Sequence, residues 1–168
     1  MGLYASWVHG TAFQPPEFPA QGLQPIDGIH YTDVVGLRRG WGSFWRGRAG
    51  SANWFHVSIP TPVVIDGHRV KLERIFVMFT AGKGTPNNAN LAGANVTDIH
   101  VWDGPNRIKT FGPFMLFGDH RFKLPDTSNT HVLSPQLDIS WGVGISVRVA
   151  FSADELVGFA SAGADFYT

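Results

Sequence analysis

Cysteine is absent from all 168 residues, which excludes disulfide staples, thiol nucleophiles and cysteine-based metal sites. Charge is scarce as well. Charged residues make up 15%, below the usual quarter, and 13 Lys and Arg balance 13 Asp and Glu to a net charge of zero. A chain with no positive excess lacks the phosphate-neutralising surface from which general nucleic-acid binding draws its affinity. No apolar run approaches the ~20 residues of a membrane helix. The longest, such as Ile75 to Phe79, are strand-sized, so neither nucleic acid nor membrane is expected as a partner. Helical periodicity is nearly missing too. In its place stand 20 Gly, 11 Pro and 6 Trp. Low charge with ample aromatics is not a disordered composition; it describes a compact, turn-rich protein.

Short alternating runs punctuated by Gly, Pro, Asn and Asp read as strands and turns. Leu3 to His9 and Asn53 to Ile59 alternate, the latter with Phe55, Val57 and Ile59 on one side and Trp54, His56 and Ser58 on the other. Asp66-Gly67 predicts a two-residue hairpin turn. Ile75 to Phe79 is apolar on both faces, which predicts a central strand covered on both sides. Val96 to Trp102 and Arg107 to Phe111 form a second hairpin around Asp103 to Asn106, and His131 opens another strand. Ile139 to Phe151 reads as one long strand, with Trp141 among its inward residues and small residues outward. Ser152 to Glu155 predicts the one helical turn, and Ala162 to Phe166 an edge strand. The stretch 10–26, with Pro15, Pro16, Pro19 and Pro25, reads as a connector or arm, and 82–93 as a polar loop. Strands this short and regularly spaced predict an all-β fold, an antiparallel β-sandwich resembling a jelly roll, as a single domain over 1–168.

The first residues show neither the basic stretch nor the apolar run of a signal peptide, which predicts a cytoplasmic protein. Gly2 and Ser6 fit the short myristoylation pattern, but the same residues read equally well as a first strand. Asn95-Val96-Thr97 is a glycosylation sequon in form, read here as strand sequence.

Several segments together carry a resemblance: Trp7 to Thr11, Asn53 to His56 followed by Ile59 to Pro62, Asp126 to Thr130, Gly144 to Val147 and Ala162 to Phe166. In this combination the chain resembles a family of small uncharacterised bacterial β-sandwich proteins, from about Ser6 to Phe166. The resemblance implies a free-standing bacterial domain. It brings no activity and no functional residues with it.

Asp98, His100 and Trp102 share one face of their strand, as Trp54 and His56 do on theirs. If those strands are neighbours, the five residues line one surface suited to a sugar, whose C–H face packs on a ring while its hydroxyls seek planar partners. A His100–Asp98 pair, with His56 near, could equally act as a general base and its orienting carboxylate. The plain structural alternative is an exposed sheet face or a subunit contact. Arg38, Arg39, Arg46 and Arg48 surround Trp41, Phe44 and Trp45. Such interleaving could bind an anionic small molecule through Arg38, Trp41 and Trp45, or be a loop whose arginines pair with acids.

Seven histidines form no metal-binding spacing, so no metal and no cofactor are expected. Asp103 to Asn106 and Asp126 to Asn129 could offer calcium ligands but are turn sequences first. No nucleophile elbow, phosphate loop or dinucleotide fingerprint is present. The leading expectation is therefore a non-enzymatic, lectin-like module that binds a small molecule or glycan and forms a homo-oligomer. A small enzyme (a cyclase, isomerase or hydrolase) with a His–Asp pair is the alternative, and a structural assembly protein the third.

Overall fold

The computed structural model describes residues 2–15, 23–24, 36–82 and 93–168. Among these residues fourteen strands follow in order: β1 (Leu3–His9), β2 (Leu23–Gln24), β3 (Gly36–Arg39), β4 (Gly42–Gly47), β5 (Ser51–Ser58), β6 (Val64–Ile65), β7 (His68–Arg69), β8 (Lys71–Ala81), β9 (Ala94–Asp103), β10 (Asn106–Phe111), β11 (Gly118–Asp119), β12 (Thr130–Asp138), β13 (Val143–Phe151) and β14 (Glu155–Tyr167). The fold is all-β, as the alternation predicts.

Eight strands form one sheet, on the path β11-β8-β14-β4-β2, with β1 beside β14, β12 beside β8 and β3 beside β4. Four form the second, in the order β10-β9-β13-β5, and β6-β7 is a separate hairpin. Eight strands against four is a more unequal division than that of an eight-strand jelly roll. The inward residues of both sheets meet in one hydrophobic cluster. Phe55 of the smaller sheet lies against Phe159 and Trp45 of the larger, with ring centroids 5.3 and 5.7 Å apart.

The connector after β1 ties the sheets together. Gly10–Ala12 is a 3-10 turn, Phe13 is fully buried and stacks on Phe159 at 4.2 Å, and Gln14 pairs through its backbone with His56 at the edge of β5. The rest of 10–26, apart from Pro15 and β2, and most of the 82–93 loop lie outside the described residues.

The strand β8 is central and buried on both faces over Ile75 to Phe79, as its composition predicts. Asp66 and Gly67 both take positive φ, 49° and 79°, the geometry of a tight hairpin turn. Three expectations are corrected. Ala162 to Phe166 belongs to a central strand, not an edge: β14 pairs with β8 along one side and with β4 and then β1 along the other. Its Gly and Ala residues, which read as an unprotected edge, are small because both faces are covered. Ser152 to Asp154 is a bend and Glu155 already opens β14, and the only helical turn among the described residues is Gly10–Ala12.

The run Ile139 to Phe151 is not one strand either. Ile139 is buried just past the end of β12, while β13 starts at Val143. Between them Gly142 takes φ +139°, which side-chain-bearing residues rarely adopt, and Trp141 turns outward to 72% exposure. The cause is Asp103, whose carboxylate accepts backbone N–H bonds from Ser140 (2.9 Å), Trp141 (2.7 Å) and Gly142 (3.0 Å). A turn held by a side chain from another strand leaves no mark on the alternation.

Candidate functional site

The outer face of the four-stranded sheet is built from register. On β13, Arg148 lies opposite Trp54 on one side and Asp98 on the other; Ser146 lies between His56 and His100, and Gly144 between Ser58 and Trp102. The two Trp/His strands are thus not neighbours. β13 separates them, and its outward Gly144 and Ser146 are too short to fill the space. Large rings on the flanks with small residues in the middle make a trough.

The rings lean inward over it. Trp54 reaches across β13 to within 4.3 Å of the His100 ring, and His100 meets Trp102 edge-on at 6.2 Å. Trp54, His56, His100, Trp102 and Ser146 enclose a hollow of about 230 Å³. A second hollow of about 410 Å³ adjoins it, lined by Gln14, His56, Ser58, Trp102, Gly144 and Ser146 among others. A third, of about 360 Å³, continues past Gly144 to Thr61, Gly142 and Trp141. Among the described residues none that lines these hollows is Asp, Glu, Lys or Arg.

Ser146 is the hub. Its buried hydroxyl accepts the indole N–H of Trp102 at 3.0 Å and lies 2.8 Å from His56 Nδ1. With Trp102 donating, the hydroxyl keeps one proton and one lone pair, so it donates to Nδ1 in one His56 tautomer and accepts from it in the other. Burial lowers the pKa of His56. Burial, and then the positive charge of Arg107, lower that of His100, against a smaller opposing pull from Asp98. Both rings are therefore neutral near pH 7.

Of the residues predicted from sequence, Trp54, His56, His100 and Trp102 are brought together. Asp98 sits on the same face but points its carboxylate at Arg148, with 3.4 Å between Oδ2 and the guanidinium. The His100–Asp98 pair does not form a hydrogen bond: the carboxylate is turned to Arg148, and the His100 ring leans toward Trp54 and Trp102. The second predicted group is not brought together on one face. Trp45 is a core residue, 6% exposed, and is unavailable to a ligand. Trp41 lies in the β3–β4 turn, edge-on to Phe44 at 4.4 Å and capped by the Arg121 guanidinium at 5.0 Å. Arg38 donates to the carbonyl of Thr11 (3.1 Å) and to Gln14 Oε1 (3.0 Å), so it positions a groove-lining residue from behind.

Sequence reading missed Ser146, Ser58 and Gln14. The small outward residues of Ile139 to Phe151 were the available signal, but nothing local says which rings flank them. Among the described residues no three His, Asp or Glu side chains group as metal ligands. No helix among them is long and apolar enough to cross a membrane. Residues 5–157 match the model of a family described as a family of unknown function, DUF6623, and no curated protein matches the chain.

Proposed function

Because the chain belongs to the DUF6623 family, whose description assigns no activity, its own geometry has to supply one, and we propose a non-enzymatic, lectin-like binding module. The observation that carries this reading is the trough itself: two tryptophans and two neutral imidazoles around a small-residue floor, with no charged lining residue among those described. Aromatic faces receive the C–H face of a sugar ring, and the hydroxyl and imidazole groups supply the polar contacts that orient it.

The test is a glycan array probed with the wild-type protein, followed by titration of the best binder into Trp54→Ala and Trp102→Ala. Both variants should fold, as judged by circular dichroism, and lose at least about tenfold in affinity, the equivalent of one well-packed ring. Unchanged affinity in both would remove the trough from consideration.

One observation favours a second reading, that of a small hydrolase. Ser146 and neutral His56 stand at hydrogen-bond distance, 2.8 Å, the relation of a nucleophile to its base. This replaces the His100–Asp98 pair as the catalytic alternative. Incubation with a fluorophosphonate followed by intact mass measurement decides it: a single adduct, lost in Ser146→Ala and in His56→Gln, would overrule the non-enzymatic reading.

Self-association is also part of the proposal. Leu3 and Trp7 on β1 and Val132 on β12 are exposed apolar residues of the larger sheet, and a native mass spectrum against the denatured mass reports copy number and any retained small molecule together.

A further inference from the structure

The hollow between Trp54 and Trp102 does not end there. Its neighbour shares His56, Trp102 and Ser146 with it, and the third shares Ser58, Gly104 and Gly144 with the second. Together they make one groove along the outward face of β13, from the level of Trp54 to Trp141. The lining residues of this run, Gly142 to Ser146, cover roughly 13 Å at the rise of a strand, and Trp141 lies beyond Gly142. The groove is longer than a single sugar ring needs.

We infer that the groove binds a linear, uncharged oligosaccharide lying along β13, with a second contact region beyond Gly144 that ends at Trp141; this rests on the binding reading above. Three features select that ligand. The described lining has no formal charge, and both imidazoles are neutral, so an anionic or cationic chain would lose solvation without gaining a partner. A peptide cannot enter as an added strand, because β13 is paired on both sides and offers no free backbone. Trp141 is exposed on a backbone that the three hydrogen bonds of Asp103 hold in place, so only its side-chain torsions are left for a ligand to order.

Gly144 is the gate between the two regions. A Cβ there would meet only the Cβ of Trp102 at 3.6 Å, an ordinary contact, and its backbone is strand-like. Gly144→Leu therefore fills the groove without straining the sheet. The experiment titrates neutral gluco- and manno-oligosaccharides of increasing length, from the monosaccharide up, into wild type, Gly144→Leu and Trp141→Ala, with thermal melts to confirm folding. In wild type the affinity should rise at least about tenfold from monosaccharide to the longer chains. Both variants should lose that gain, and Trp141→Ala, which stands outside the hollow between Trp54 and Trp102, should keep the monosaccharide affinity. Binding that does not depend on length, or a variant that keeps the gain, overturns the extended groove and leaves the single-ring site standing. No binding at any length overturns the lectin-like reading, and the extended groove with it.

Discussion

The indole N–H of Trp102 is committed to the hydroxyl of Ser146, 3.0 Å away on the neighbouring strand, and so one of the groove's indoles is fixed by a short polar residue on its floor. Their Cα positions are not directly opposed: Trp102 pairs with Gly144, and Ser146 with His100. The bond therefore runs diagonally, tilting the indole along β13 and not away from it. The Ser146 hydroxyl also serves His56, so one short side chain orders rings on both walls.

Trp102→Phe and Ser146→Ala should each cost about 1 kcal/mol of stability, the usual net value of one such hydrogen bond. The double variant should cost clearly less than the sum, because either change already breaks the shared bond. Urea midpoints for the four proteins measure the coupling, and strict additivity would show that the bond carries no energy.

Asp103 controls the turn that carries Trp141. Burial alone would raise its pKa, but the N–H bonds from Gly142, Trp141 and Ser140 outweigh that and hold the carboxyl below its usual range. A depressed carboxylate contributes stability that is present above its unfolded pKa and is lost as pH falls through the folded one. Asp103→Ala leaves three backbone donors without their acceptor and should cost about 3 kcal/mol. Asp103→Asn keeps one acceptor oxygen and should cost less. Chemical denaturation at pH 7 and pH 3 checks both: the gap between wild type and Asp103→Ala should shrink at the lower pH.

His131 gives the protein an acid-sensitive core. It is 6% exposed, lies between the rings of Phe111 (5.2 Å) and Phe114 (5.4 Å), and its Nε2 has no hydrogen-bond partner. Burial lowers its pKa from 6.5 to about 4. Between those values the unfolded chain binds a proton here that the folded chain does not, so stability falls as pH falls through that window. The full effect is about 3 kcal/mol by linkage. His131→Phe keeps the ring, removes the orphan nitrogen and should flatten the stability profile between pH 6.5 and 4. An unchanged profile would assign the acid sensitivity to other groups.

Trp7 lies flat over Gly163, its strand partner, and stacks on Phe76 at 5.0 Å. A Cβ at Gly163 would sit 2.5 Å from the indole, so Gly163→Ala must lift the ring from the sheet. The expected cost is about 1 kcal/mol, at the low end for overpacking because Trp7 is partly exposed and can move. Iodide should quench the variant's fluorescence more than that of wild type. The difference should disappear when both also carry Trp7→Phe.

Much of the fold was legible because its signals are local. The Asp66-Gly67 turn, the alternation of Asn53 to Ile59 and the doubly apolar run Ile75 to Phe79 each depend on a few adjacent residues and on the period of a strand. The errors lie where a distant partner decides. Trp141 fits an inward position by period and is turned out by Asp103, 38 residues earlier in the chain. The Gly and Ala residues of β14 look like an edge until β8, β4 and β1 are seen on both sides. Trp45 sits among arginines in the sequence and among phenylalanines in the core, since alternate residues of a strand face opposite ways.

The sequence by itself determined the fold class, most strand positions, and that Trp54, His56, His100 and Trp102 share outward faces, since each of these follows from backbone period and turn chemistry. Only the tertiary structure decided that β13 stands between the two ring-bearing strands, and with it that Ser146 and Gly144 form a floor and the rings form walls. The physical reason is sheet order. Which strands pair is settled by burying the inner faces of both sheets together, and no outward residue reports its cross-strand neighbour in advance.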